Sequence, residues 1–133
     1  MANLILKELS YRIVGLLYKV HRQLGRYCRE KQYGDLFEKL LEKEDITFER
    51  EYPIELVDKK SNFVDFYIND CLLVELKSKL FITKEDYYQM RRYLETIKKE
   101  LGLIVNFRNK YLKPKRVLNS KMKHSGHSNT FVN

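Results

Sequence analysis

The first part of the chain carries apolar residues at helical spacing. They recur every three or four positions from Leu9 to Leu24, which predicts an amphipathic helix over residues 7–24. Gly25 follows and is a typical helix end. A second apolar series of the same period predicts another helix over residues 30–44. The chain is therefore expected to begin with two consecutive helices.

Beyond the second helix the apolar spacing changes to that of strands. Residues 48–57 form an extended stretch that contains Pro53, and a proline within a strand favours a position at the sheet edge. Two further strands are predicted over residues 63–68 and 72–78, joined around Asn69-Asp70-Cys71. This segment is therefore expected to form three strands, the last two paired as a hairpin.

One more helix and one or two strands complete the predicted fold. A helix over residues 84–100 is expected to be capped by Thr83. The short apolar segment 101–107 predicts a buried strand, and residues 115–118 are a candidate last strand. The order ααβββαβ predicts an α/β (α+β) fold in which helices flank a small mixed central sheet.

Composition restricts the class of protein. The chain has 133 residues, which suits a single domain, and its 44% hydrophobic content argues against a wholly disordered chain. No apolar stretch approaches the ~18 residues of a membrane span, and the N-terminus shows no apolar leader. Cys28 and Cys71 lack the spacing of metal ligands and are expected to be reduced thiols. We expect a cytoplasmic protein with no membrane partner.

The positive charge is concentrated towards the C-terminus. The formal net charge is +8, and residues 101–133 contain seven basic residues and no acidic residue. We expect a domain over residues 1–120 and a basic, polar, disordered tail over residues 121–133. A basic C-terminal segment on a nearly neutral domain is typical of phosphate binding. The alternative interpretation is a solvated tail that aids solubility.

Acidic and basic residues interrupt the apolar pattern of the predicted hairpin. Alternation places Asp65 on one face with Phe63 and Tyr67, and it places Glu75 on one face with Lys77. A three-residue connection would set Asp65 directly opposite Glu75, with Cβ atoms about 4.5–5.5 Å apart.

Two opposed carboxylates destabilise a sheet unless something neutralises their charge. Mg²⁺ or Mn²⁺ would do so, because hard divalent cations prefer oxygen ligands. The ammonium group of Lys77 could then orient or deprotonate an attacking water. The alternative is a surface hairpin that carries an ordinary Glu–Lys ion pair.

A series of short motifs follows in a fixed order between Glu8 and Asn119. In chain order these are Val20-His21-Arg22-Gln23-Leu24-Gly25, Glu30-Lys31-Gln32-Tyr33, Asp65, Val74-Glu75-Leu76-Lys77, Gln89-Met90-Arg91-Arg92-Tyr93-Leu94 and Leu101-Gly102-Leu103-Ile104-Val105-Asn106-Phe107. Together they resemble the PD-(D/E)xK nuclease superfamily and, within it, the small GxxExxY protein family. The chain departs from the family at Tyr27, where the motif has glycine, and at Phe63-Val64, where the superfamily signature has proline.

The resemblance implies a restriction-endonuclease-like core and a nuclease that requires Mg²⁺ or Mn²⁺. Asp65 and Glu75 would hold the metal, with the carbonyl of Leu76 and the side chain of Glu30 as further ligands. Lys77 would act on the attacking water. The alternative interpretation is that Glu30 is an acidic residue in the first turn of a helix, where the helix dipole favours negative charge.

The resemblance implies site roles for three more residues. Gln89 would fix Lys77 or a phosphate, and Tyr93 lies one turn later on the same helical face. His21 is a candidate member of the site. The alternatives are that Gln89 is simply exposed, that Tyr93 belongs to the core and that His21 is a packed or hydrogen-bonded helix residue.

Nucleic acid is the expected partner, with DNA favoured over RNA. Residues expected to hold its backbone are Tyr93 and the basic residues Arg91, Arg92, Lys113, Lys115 and Arg116. The alternative function is a non-catalytic nucleic-acid-binding or partner-docking module that keeps the nuclease fold. Because so small a chain has little surface for reading bases, a homodimer or a larger protein partner is also expected.

Overall fold

The computed structural model describes residues 2–55 and 61–122, and within these ranges the chain forms three helices and five strands. In chain order the elements are α1 (Ala2–Leu24), α2 (Glu30–Lys43), β1 (Phe48–Glu55), β2 (Ser61–Ile68), β3 (Leu72–Lys77), α3 (Lys84–Ile97), β4 (Leu101–Asn106) and β5 (Lys115–Leu118). The predicted α+β class with a small mixed sheet flanked by helices is confirmed. All but the first two residues of the predicted C-terminal tail lie outside the described residues.

The helices end where local backbone signals predict. α1 begins well before the predicted residue 7 and ends at Gly25, which has a φ of 78°. Thr83 caps α3, as predicted, and the αL conformation of Lys98 ends that helix slightly earlier than residue 100. No helix within the described ranges is long and apolar enough to cross a membrane.

The five strands form one sheet in the order β1-β2-β3-β4-β5. All neighbouring strands are antiparallel except β3 and β4, which are parallel because α3 crosses over between them. β1 lies at the edge, as Pro53 predicts. The strand suggested over residues 115–118 is present as β5 at the opposite edge.

Each face of the sheet carries its own hydrophobic core. Residues of α1 and α2, such as Leu17 and Phe37, pack with Phe66 on one face. Residues of α3, such as Met90, pack with Ile104 on the other face. We refer to these as the α1/α2 core and the α3 core. The site described below lies where β2 and β3 separate between the two cores.

The alternation of buried side chains reverses within β2. Phe66 packs in the α1/α2 core and Tyr67 in the α3 core, as the two-residue period requires. Val64 should share a face with Phe66, yet it packs in the α3 core with Tyr67. The prediction that Phe63, Asp65 and Tyr67 share one face assumed unbroken alternation and is wrong, because the strand reverses its faces at Asp65.

The paired strand β1 reverses its faces at the same level. Phe48 packs against the α1/α2 core, whereas Ile54 belongs to the α3 core, although both have even numbers. Between them Glu51 adopts a positive φ of 55°, which a non-glycine residue rarely does. Glu51 and Asp65 lie between the paired positions Arg50–Phe66 and Tyr52–Val64, so both strands reverse their faces at the same level.

Candidate active site

β2 and β3 stop pairing at Asp65 and Glu75. The last paired residues are Phe66 and Val74, and the same register extended by one position places Asp65 opposite Glu75. Beyond this point, hydrogen bonds to side chains replace the backbone hydrogen bonds between the two strands. The N–H of Asp65 donates to Oε1 of Glu75 at 2.7 Å, and the N–H of Leu76 donates to Oδ2 of Asp65 at 2.7 Å. The two carboxylates thus occupy the opening between the strands, which we call the β2–β3 fork.

Both carboxylates of the fork are harder to ionise than ordinary acids. Glu75 is only 7% exposed, and burial together with the charge of Asp65 raises its pKa to about 8. Burial, followed by the charge of Glu30, raises the pKa of Asp65, although its hydrogen bond from Leu76 and the nearby cations act against this shift. A bound cation would stabilise both carboxylates in their ionised form.

Lys77 extends from the end of β3 between two carboxylates. Its Nζ lies 3.8 Å from Oε2 of Glu75 and 3.7 Å from Oδ1 of Asp86. Asp86 also binds Nζ of Lys79 at 2.7 Å through its other oxygen. Burial opposes its ionisation, but hydrogen bonds from Lys79 and Thr83 hold the pKa of Asp86 below its usual value. The first turn of α3 therefore helps to position the Lys77 ammonium group.

Glu30 reaches the same end of β3 from the first residue of α2. Its Oε2 accepts a hydrogen bond from the N–H of Ser78 at 3.0 Å. The hydroxyl of Ser78 donates to the carbonyl of Cys28 at 3.2 Å, which ties the loop before α2 to the same residue. The motif departure at Tyr27 has therefore not displaced Glu30 from the fork.

A cleft of about 490 Å³ opens beside the fork on the α2 side, and it is lined by Glu30, Lys31, Gly34, Arg50, Glu51, Asp65, Phe66 and Leu76. The cleft brings together three of the four predicted metal ligands. Arg50 enters it across Gly34, where a Cβ atom would lie 2.5 Å from Nη2 of the arginine. Nη1 of Arg50 is anchored by Asp35 and Glu38 at 2.8 and 2.7 Å.

The donor chemistry of the fork suits a hard divalent cation. Asp65, Glu75 and Glu30 offer carboxylate oxygens, which are the ligands that Mg²⁺ and Mn²⁺ prefer. Within residues 2–55 and 61–122 no group of three or more acidic, histidine or cysteine side chains is arranged to hold a metal ion by itself. Mg²⁺ and Mn²⁺ commonly take few protein ligands and fill the rest of their coordination shell with water and phosphate.

The predicted residues of α3 differ in how they relate to the fork. Gln89 is half-buried one turn after Asp86, and its side chain makes no hydrogen bond to the described residues. Tyr93 is 2% exposed within the α3 core, and burial followed by the charge of Glu75 raises its pKa to about 12. Tyr93 thus lies near Glu75 but has little surface available to a ligand.

The basic residues predicted to hold nucleic acid lie on the surface without contacts to the fork. All five are exposed: Arg91 and Arg92 lie on α3, Lys113 lies before β5, and Lys115 and Arg116 lie in β5.

His21 makes no hydrogen bond or ion pair with Asp65 or Glu75. Its Nε2 lies 2.9 Å from the carbonyl oxygen of Asn109, and its ring contacts Phe107 at a centroid distance of 6.1 Å. It therefore links the end of α1 to the loop after β4.

Sequence reasoning missed two residues of the site. Asp86 looks like a helix-capping acid, because Thr83 and Asp86 form a capping box at the start of α3. Its second contact, with Lys77, depends on how α3 crosses the sheet. Arg50 belongs to a strand with alternating charges. The only sequence signal for its position is Gly34, which lacks a side chain where the guanidinium group of Arg50 packs against α2.

Comparison with known proteins gives one family. A family model described as the PD-(D/E)XK nuclease superfamily matches residues 7–117, which is most of the chain and includes every predicted site residue. Neither the curated proteins nor the solved structures include a match to this chain.

Proposed function

The chain belongs to the PD-(D/E)XK nuclease superfamily, and from this membership we propose that it is a Mg²⁺- or Mn²⁺-dependent nuclease of the GxxExxY type. It would hydrolyse phosphodiester bonds, with DNA preferred to RNA. The observation that carries the proposal is the convergence of Asp65, Glu75 and Lys77 at the β2–β3 fork. Neighbouring acids repel each other in their ionised forms, and such clusters of acids with raised pKa values are typical of functional sites.

The acidic residues of the fork would hold the cation. Asp65 and Glu75 are fixed by backbone N–H donors from the opposite strand, so one oxygen of each carboxylate has no backbone donor. Glu30 and the carbonyl of Leu76 would complete the protein's share of the coordination shell. When bound, the cation would polarise the phosphodiester group and stabilise the charge that develops on it.

Lys77 would act on the attacking water. Its ammonium group is held between Glu75 and Asp86, and 21% of its side-chain surface is exposed. It would donate a hydrogen bond that orients the water and would offset negative charge in the transition state. Gln89, whose amide is free of contacts to the described residues, would hold a phosphate oxygen or Lys77.

The exposed basic residues would supply binding without sequence preference. Arg91, Arg92, Lys113, Lys115 and Arg116 have no acidic partner among the described residues, so their charges remain available to phosphates. Such binding weakens steeply with salt because it releases counterions. A homodimer or a larger partner would extend this limited surface.

Cleavage of labelled single- and double-stranded DNA and RNA tests the proposal. The wild type, Glu75→Ala and Lys77→Ala proteins are compared in Mg²⁺, in Mn²⁺ and in EDTA. Lys39→Ala is the matched control, because Lys39 is an exposed lysine on α2 without contacts to the described residues. We expect metal-dependent cutting by the wild type and Lys39→Ala, and at least about a hundredfold loss in the two site variants.

Two results would contradict the nuclease assignment of this site. Equal cleavage by the wild type and Lys77→Ala would place the chemistry elsewhere or in a contaminant. Salt-sensitive binding without cleavage in any metal would favour the alternative of a non-catalytic nucleic-acid-binding module.

A further inference from the structure

An exposed tyrosine in the loop that precedes α2 lies beside two arginines. Tyr27 is 76% exposed, and its ring has the guanidinium carbons of Arg26 and Arg108 at 5.1 and 5.8 Å from its centroid. Neither arginine has an acidic partner among the described residues, and Nε of Arg108 is buried there without a hydrogen-bond acceptor. We call Arg26, Tyr27 and Arg108 the arginine–tyrosine platform.

The platform is held firmly by the loops that carry it. The side chain of Arg26 donates from Nε to the carbonyl of Arg108 at 2.8 Å, which joins the loop before α2 to the loop after β4. The hydroxyl of Tyr33 donates to the carbonyl of Gly25 and accepts from the N–H of Cys28, at 2.6 and 3.1 Å. Because both sides of Tyr27 are fixed, a ligand that binds its ring need not first order the loop.

The same loops adjoin the β2–β3 fork. The N–H of Phe107, the residue before Arg108, donates to the carbonyl of Lys77 at 2.9 Å. Cys28, the residue after Tyr27, accepts a hydrogen bond from Ser78, which also binds Glu30. The loops that carry the platform are therefore hydrogen-bonded to the end of β3, next to the fork.

The chemistry of the platform matches that of a nucleic acid strand. Two guanidinium groups without an acidic partner among the described residues suit a phosphate, to which arginine can donate two parallel hydrogen bonds. An aromatic ring that is largely exposed and held in place suits a nucleobase, since every base has a face that can stack. In a duplex those faces are already stacked on neighbouring bases, so the ring favours an unpaired nucleotide.

We propose that Arg26, Tyr27 and Arg108 bind an unpaired stretch of the substrate strand, with the arginines on a backbone phosphate and a base stacked on Tyr27. This inference rests on the proposed nuclease function and makes it more specific, because it names single-stranded or locally opened nucleic acid as the preferred substrate. The neighbouring Lys110 and the exposed Tyr111, whose ring centroid lies 5.5 Å from Nζ of that lysine, extend the same surface.

Binding measured without catalysis tests the platform separately from the nuclease activity. Fluorescence anisotropy in EDTA gives Kd for a mixed-sequence single strand, as DNA and as RNA, and for the corresponding duplex. The variants are Tyr27→Ala and Tyr27→Phe, and Tyr11→Ala is the matched control, because Tyr11 is an 82% exposed tyrosine on α1.

We expect Tyr27→Ala to weaken single-strand binding about 5- to 150-fold, the range measured for loss of one stacked base, and to change duplex binding by less than about threefold. Tyr27→Phe keeps the ring and should stay within about twofold of the wild type, as should Tyr11→Ala. Arg26→Gln should lower the slope of log Kd against log salt by about 1, the change expected for the loss of one phosphate contact.

Three outcomes would overturn the platform: no single-strand binding by the wild type, equal single-strand Kd values for Tyr27→Ala and Tyr11→Ala, or an equal loss of duplex binding in Tyr27→Ala. A parallel cleavage assay in Mn²⁺ separates the two proposals. If the wild type cuts in a metal-dependent way and Tyr27→Ala binds the single strand as the wild type does, the platform proposal is refuted and the nuclease proposal is not. Tyr27-dependent single-strand binding without cutting would support the platform and contradict the nuclease.

Discussion

Removing one charge from the β2–β3 fork should stabilise the metal-free protein. In the folded chain the pKa of Glu75 is raised to about 8, first by burial and then by the charge of Asp65. Glu75→Gln keeps the size of the side chain and an oxygen that can accept from the N–H of Asp65. The variant cannot ionise, so it avoids the repulsion that the glutamate meets in the fork.

The sign and size of the effect follow from the difference between the folded and unfolded pKa values. Unfolded Glu75 ionises near 4.5, so between pH 4.5 and about 8 the folded state binds more protons than the unfolded state. The free energy of unfolding of the wild type therefore decreases as the pH rises through this interval and levels off above it. At about 1.4 kcal/mol per pKa unit the decrease is on the order of 5 kcal/mol, and Glu75→Gln should not show it.

Urea unfolding in EDTA at several pH values from 5 to 8.5 measures this difference. We expect Glu75→Gln to be more stable than the wild type by a few kcal/mol at pH 8 and by much less at pH 5. The control is Glu49→Gln, because Glu49 is an exposed acid on β1, and it should follow the wild type throughout. A Glu75→Gln protein that is less stable than the wild type at pH 8 would refute the account of the fork as electrostatically strained.

Adding the metal should stabilise the wild type but not Glu75→Gln, and so reduce the difference between the two proteins. A cation that binds only the folded state stabilises it by RT ln(1 + [L]/Kd), and at a hundredfold excess over Kd this is about 2.7 kcal/mol. Mn²⁺ should therefore raise the Tm of the wild type, and Asp65→Asn or Glu75→Gln should abolish the rise. An equal rise in Asp65→Asn would show that the metal binds outside the fork.

Two further predictions concern positioning and packing. Asp86→Asn should lower the cleavage rate about 10- to 100-fold, because Lys77 loses one of its two carboxylate contacts. Thr83→Ala should cost ~1 kcal/mol of cap stability and lower cleavage much less, because the carboxylate of Asp86 stays beside Lys77. A cleavage loss as large in Thr83→Ala would show that only the helix cap matters. Gly102→Ala places a Cβ atom 2.5 Å from Sδ of the buried Met90, so urea unfolding should show a destabilisation of about 1–3 kcal/mol. The additional substitution Met90→Ala should relieve part of this clash. Additive effects of the two substitutions on the free energy of unfolding would contradict the contact.

Most of the fold could be predicted because its signals are local. Apolar periodicity, the cap at Thr83, the glycine at position 25 and the proline of the edge strand each act within one element, and each is confirmed. The reversal of the β1–β2 ribbon could not be predicted in this way. It depends on a positive φ at Glu51, a residue whose type gives no sign of that conformation.

The predicted opposition of Asp65 and Glu75 agrees with the structure because it needed only the length of the hairpin connection. The residues that the prediction missed belong to elements distant in the chain. Asp86 reaches Lys77 only because α3 crosses over between β3 and β4, and Arg50 reaches the cleft only because Gly34 leaves room on α2. A pattern within one segment does not specify such contacts, since they depend on how separate segments pack.

The fork makes the same two acids responsible for structure and for chemistry. Where β2 leaves β3, the N–H groups of Asp65 and Leu76 lose their ladder partners, and buried backbone donors require acceptors. The carboxylates of Glu75 and Asp65 supply them at 2.7 Å. Asp65→Ala would therefore leave the N–H of Leu76 unpaired at a cost of about 1–3 kcal/mol, besides removing a metal ligand. Asp65→Asn keeps an oxygen for that N–H and removes only the charge. A comparison of the two variants consequently separates the support that the acid gives to the sheet from the affinity that it gives to the cation.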